Sequence, residues 1–309
     1  MRLSPAATVS WLLAPADDEQ PRGHAAAAAF LRVLLGLMWL YNVAWKRPPG
    51  FGESTDSGLY HFTAHAVDHP VLPPYSWLVE NLVLPNIAVF GWGVLVVETA
   101  LAVMLLTGAW VRLAAVLGVA QSLAIGLSVA YAPNEWPWSY WLMIGAHVLL
   151  LFSVAGRWLA VDAVRSGTGS RRTLATVWGW LAVAVGGYSA LRSFGDPLAA
   201  RGEGLRSTDL SISLGLYNLL GGVVMVALGL LLLAGTRTHA VVLLRGAAGL
   251  AVLAAVSLHA QIGFSDPLLG GDATAAAVFL AIAVVALTAS AKPTPRTSTE
   301  IETVTTQPT

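Results

Sequence analysis

An all-α integral membrane protein of about eight transmembrane helices, in two four-helix bundles with N and C termini cytoplasmic, is the fold this chain predicts. Three observations lead there. Only 11% of the residues are charged and 56% are hydrophobic, against roughly a quarter charged in an ordinary soluble domain. Eight apolar runs reach or approach the ~20 residues that a bilayer-crossing helix needs. The basic residues also alternate in side from run to run. With the N-terminus inside, twelve of the seventeen Lys and Arg fall in inner segments, as the positive-inside rule requires.

The runs span 25–45, 86–107, 109–131, 140–155, 174–191, 211–234, 240–259 and 273–289, and the fourth, fifth and eighth are short. Trp45, Trp77, Trp136 and Trp138 mark the outer boundary, and Trp110, Trp158 and Trp178 the inner one, as an aromatic belt does. Residues 1–24 form a polar segment with Asp17, Asp18 and Glu19 and no apolar core or cleavage site of a signal peptide, so the first span is expected to stay in the protein. Residues 25–162 form the first four-span unit, with an outer loop over 46–85. A basic linker over 163–173 follows, then a second four-span unit over 174–290. The tail, 291–309, rich in Thr, Pro and Glu, reads as disordered.

The halves resemble each other. LLTGAWVRLAAVLG from Leu105 lies on LLAGTRTHAVVLLRG from Leu232, which sets Arg32 against Trp178, Lys46 against Arg192, Glu98 against Met225 and Arg112 against His239. Only the first half keeps the buried charges, which makes it the expected active or docking unit. Paired halves also raise transport, but inverted repeats need an odd number of spans each, and four-span halves repeat in parallel.

Glu98 sits in the middle of an apolar run and needs a partner, because a carboxylate at the bilayer centre costs at least ~2.5 kcal/mol. Arg32 lies about 10 Å above the start of its span and Glu98 about 14 Å above the inner end of its own, at 1.5 Å per residue. Arg112 follows the short turn between the second and third spans. These three are expected to form an intramembrane charge cluster. It serves either as a neutralising staple between helices or as a polar contact for a quinone headgroup. Gln121 and His147 fall near the midplane, either as a polar relay or as interhelical hydrogen-bond partners. Gly118, Ser122 and Gly126 recur every four residues as a surface for close helix packing.

The outer loop contains GLYHFTAHAVDHP, in which His61, His65 and His69 recur at i, i+4 and i+8 on one helical face. They are weak metal candidates, since a straight helix brings only i and i+4 onto one ion. The favoured reading is a membrane-surface helix with Leu59, Tyr60 and Phe62 inserted, followed by a second short one over 77–84. In the second half Asn218, Arg245 and His259 look isolated, and Arg245 is placed to snorkel to the inner surface. The chain has no cysteine, which excludes disulfides, thiolate catalysis and cysteine-ligated iron–sulfur clusters of its own. Phosphate loops, HExxH pairs and nucleophile elbows are absent as well.

Three stretches carry a family resemblance: FLRVLLGLMWLYNVAWKRP with Arg32, Gly36 and Lys46; VETALAVMLLTGAWVRLAA with Glu98, Gly108 and Arg112; and WPWSYWLMIGAHVLLLF before Arg157. Over about residues 27–162 the chain resembles the DoxX/DoxD membrane family, which includes the small subunit of thiosulfate:quinone oxidoreductase. The resemblance implies a four-helix bundle that partners a redox protein and exchanges electrons with the quinone pool. It departs from the small four-span form by its second set of spans.

The expected function is therefore a membrane subunit of a DoxX/DoxD-like redox system, coupling oxidation of a reduced sulfur compound to quinone, in a bacterial cytoplasmic membrane. The alternative is a non-enzymatic scaffold or anchor for a redox or envelope partner. Expected contacts are the lipid bilayer and such a protein, with no nucleic acid and no covalently bound cofactor.

Overall fold

The computed structural model of the chain describes residues 4–15 and 22–291. The expected disordered tail from residue 292 onward lies outside the described residues, as does the acidic stretch at 17–19. Among the described residues seven helices are long and apolar enough to cross a membrane, so the chain is a multi-pass helical membrane protein. They are α2 (Arg22–Ala44), α5 (Ile87–Thr107), α6 (Val111–Val129), α9 (Arg171–Arg192), α10 (Leu219–Thr238), α11 (Val241–Gln261) and α12 (Ala273–Ser290). The fourth predicted run forms α7 (Pro137–Phe152), an apolar helix of 16 residues. Shorter helices are α1 (Pro5–Leu13), α3 (Leu59–Asp68), α4 (Pro73–Leu78) and α8 (Val161–Arg165). A two-stranded antiparallel ribbon pairs β1 (Arg206–Ser207) with β2 (Ile212–Ser213).

Helix starts are set by local chemistry. The side chains of Ser4, Ser170, Asn218 and Asp272 each accept a backbone N–H of the first turn they precede. Asn218 corrects one expectation. The run 211–234 is not helical throughout: α10 begins only at Leu219. Residues 203–217 fold back instead, with Glu203 bridged to Tyr217 and with Leu216 and Tyr217 buried. Hydropathy cannot separate this fold-back from a span, whereas the Asn218 cap, accepting Gly221 N–H at 2.9 Å, fixes the boundary. The short helix expected over 77–84 is likewise not separate, because Pro73–Thr107 is one helical run of 35 residues. It passes through a π turn at Val79–Val83 and a 3-10 turn at Leu84–Asn86, and proline-containing stretches of this kind are where helices bend.

The bundle has a turn end, carrying the short α5–α6 and α10–α11 connections and the segment around α8. The opposite loop end carries α3, α4, the ribbon and the α11–α12 connection. Within each half the first helix packs on the second and the third on the fourth: α2 on α5, α6 on α7, α9 on α10 and α11 on α12. Gly36 on α2 receives Leu106 and Gly179 on α9 receives Leu233, and these two leucines are aligned in the internal repeat. The expected pair of separate four-helix bundles is not what forms. α12 lies between the halves, packing on α2, α5, α9 and α11, and one contiguous core runs from Leu35 and Leu101 to Phe279 and Ala286. The reason is compositional. Helix α12 is rich in alanine, and small side chains let neighbouring helices approach it closely on several sides.

Candidate functional site

The buried acid of the first half has a partner, and it is Lys46. Nζ of Lys46 lies 2.6 Å from Glu98 Oε2, with side-chain exposures of 1% and 0%. Gln121 of α6 donates its amide to Glu98 Oε1 at 3.2 Å, and Lys46 Nζ also donates to the Asn42 carbonyl at 3.0 Å. The Trp45 ring, centred 4.0 Å from the ammonium, covers it. This arrangement ties α2, α5 and α6 together through charge-assisted hydrogen bonds. A carboxylate with no accessible surface has no water-sized space against it, so nothing in this conformation presents Glu98 to a ligand.

The predicted Arg32–Glu98–Arg112 cluster therefore does not form. Arg32 donates Nη1 to the Ala155 carbonyl at 3.0 Å and Nη2 to the Leu159 carbonyl at 3.2 Å, at the turn end. Gly108 is the residue that admits it. A Cβ there would collide with the guanidinium, and its φ of 68° is one that side chains rarely adopt. Arg112 points outward, donating Nη1 to the Trp11 carbonyl at 3.2 Å, with its guanidinium 4.5 Å from that ring's centre. Depth explains the rearrangement. Arg32 is level with the α5–α6 turn, so Lys46, fourteen residues on, rises about 21 Å above it, and Glu98 stands about 15 Å above Gly108. The lysine arm closes the difference.

The partner of Arg32's environment is an aspartate that hydropathy does not single out. Asp162 of α8 accepts Trp110 N–H and Val111 N–H, each at 3.0 Å, and Arg165 Nη1 at 2.8 Å. It caps α6, holds Trp110 in the left-handed region at φ 47°, and supplies the negative charge nearest in effect to Arg32. Arg165 in turn donates to the Leu13 carbonyl, so α1 is fastened to the same end. The only trace of this in the sequence is an acid in the first turn of a helix just after Arg157.

Gln121 and His147 do not meet as a relay. Gln121 serves Glu98, while His147 binds Trp39 and Met143. Trp39 Nε1 can only donate, so His147 Nε2, 3.0 Å away, accepts, and Nδ1 carries the proton it donates to the Met143 carbonyl at 2.7 Å. Both ring nitrogens are thereby occupied and the ring is neutral, as an interhelical hydrogen-bond partner is. Close packing at Gly118 and Gly126 is as expected: a Cβ on Gly118 would collide with the His147 ring, and Gly126 faces Tyr140.

The histidine helix forms as α3, but it packs on α6 and the π turn, with Phe62 edge-on to Trp45 at 5.6 Å between ring centres, rather than lying free on the bilayer. Its three histidines do not converge. His61 contacts the Thr55 carbonyl, whereas His65 and His69 stack. Among the described residues no group of three His, Asp or Glu gathers to hold a metal. Asn218, expected to be isolated, is instead a hub: it caps α10 and donates to the Ala199 and Leu268 carbonyls at 3.3 and 3.0 Å. A groove of about 320 Å³ at the turn end, lined by Ala28, Val148, Leu149, Phe152 and their neighbours His24 and Ser153, includes no residue of the Lys46–Glu98 site.

Compared with protein-family models, with curated proteins and with solved structures, the chain matches none.

Proposed function

We propose that this chain is the membrane-embedded anchor subunit of a DoxX/DoxD-like redox system, holding a redox or envelope partner at its loop end while the partner carries the chemistry. The observation that supports this most is the closed Lys46–Glu98–Gln121 site: it holds helices to one another and leaves Glu98 facing no ligand. The absence of cysteine points the same way, since thiol or metal–sulfur chemistry then belongs to another chain. We read the topology as eight crossings, α7 included, with both termini on the cytoplasmic side of a bacterial membrane and the loop end outside.

Direct contact with a quinone is the second reading, carried by the family resemblance. It requires the Lys46–Glu98 pair to open, since both groups are sealed in the closed form. Affinity purification from native membranes, with quinone extraction, separates the two readings. A stoichiometric partner with no quinone retained by this chain is the result expected of an anchor. Thiosulfate- or sulfide-dependent quinone reduction that persists in the isolated chain and is lost in Glu98→Gln would replace it with the quinone reading.

A further inference from the structure

The loop end contains a pair of imidazoles that neither the ion-pair site nor the anchor reading uses. His65 and His69 lie one helical turn apart at the end of α3, their rings nearly parallel at 14° with centres 6.5 Å apart. The His69 N–H still donates to the His65 carbonyl at 3.0 Å, so the last turn is closed and both side chains project from one face. Their third neighbour differs: His61 is engaged by the Thr55 carbonyl. Nδ1 of His65 is buried with no hydrogen-bond partner among the described residues, so an ion can reach this ring only at Nε2. Asp68 precedes His69 in the chain, and the Tyr131 ring lies 5.9 Å from that of His69.

We propose that His65 and His69 form a two-nitrogen chelate for a borderline first-row divalent cation, Cu²⁺ above Zn²⁺ or Ni²⁺, on the loop end of the protein. Neutral imidazole suits these ions, and at equal geometry Cu²⁺ binds most tightly. Each nitrogen must stand ~2.0 Å from the ion, so the two rings need close by only on the order of 1–2 Å, within the reach of side-chain rotation at a helix end. Two protein nitrogens fill part of a tetragonal shell, and water completes it. The site is thus of the weak, exchangeable kind, distinct from a closed structural centre.

The test uses the full chain purified in detergent with an affinity tag free of histidine, titrated with CuCl₂ alone. We expect one equivalent of Cu²⁺ to bind, with nitrogen hyperfine structure in its electron paramagnetic resonance spectrum. His69→Ala, at an exposed position where folding is not at risk, should weaken binding at least tenfold, and His65→Ala should do the same. His61→Gln should leave it within twofold. Far-ultraviolet circular dichroism checks that each variant retains its helices. Binding of Cu²⁺ with unchanged affinity to the His65→Ala/His69→Ala protein, or no binding to the wild type at all, overturns the proposal. Neither result bears on the anchor reading, which concerns a protein partner.

Discussion

At the scale of the residue, Lys46 and Glu98 stabilise one another only as a pair. Removing one partner of a buried ion pair strands the other charge, at a cost of about 3–5 kcal/mol, whereas replacing both by apolar side chains of similar volume is often neutral. Lys46→Met and Glu98→Met are therefore each expected to lower the melting temperature in detergent sharply, and Lys46→Met/Glu98→Met to recover most of the loss. Fluorescence-detected size-exclusion melts of the four proteins check this. A double variant no better than the singles would mean that the pair does more than neutralise charge. Trp39→Phe belongs to the same scale. It leaves His147 Nε2 buried without its donor, and should cost about 1–3 kcal/mol by the same measurement.

Among the helices, the seam of α6 with α7 depends on a glycine at close approach. Gly118→Ala drives a methyl group into the His147 ring and should destabilise by about 1–3 kcal/mol. Gly145 on α7 has open space where a Cβ would go, so Gly145→Ala should be neutral or stabilising by about 0.5–1 kcal/mol. Equal losses for both would contradict the close approach. At the start of α12, burial pushes the Asp272 carboxyl above its ordinary range, against the opposing effects of its backbone hydrogen bonds and of Arg201. The folded state then holds the proton more tightly than the unfolded chain does. Stability should fall as pH rises from the ordinary carboxylate value through the raised one, and stay level beyond it. Asp272→Asn keeps a capping side chain and carries no charge, so its melting temperature should lack that decline. A pH series of melts on both proteins compares them.

For the molecule as a whole, α12 decides the architecture. It inserts the second half into the first, with Phe279, Ile282 and Val285 buried and Thr274 Oγ1 donating to the Leu40 carbonyl at 3.4 Å. Two chains separated at Gly167 in the linker, one carrying residues 1–167 and the other 168–309, should co-purify when co-expressed, because the shared core drives their association. Independent elution of the two pieces would restore the picture of two self-sufficient bundles. The unequal halves also make a prediction about function. Glu98→Gln should reduce partner capture, whereas the volume-conserving Met225→Leu at the aligned position should affect packing alone. Pull-downs of the two variants at matched expression test it.

Composition and hydropathy by themselves determined which segments become helices, because the length and apolar character of a run act locally. That much covered the eight runs apart from the first residues of the sixth, the helix over GLYHFTAHAVDHP, the need of Glu98 for a partner and the close-packing role of Gly118. The choice among partners was made only by the tertiary structure. By sequence position Glu98 pairs with Arg32 and Arg112 and Lys46 is left at the outer end, whereas the relative heights of α2 and α5 selected Lys46. The same is true of Asp162, Trp39 and Asn218, whose roles exist only once segments more than a hundred, or several tens of, residues distant are brought alongside. Pairing across a bundle depends on helix register and rotation, and those follow from the packing of the helices on one another, which no single stretch of the chain encodes.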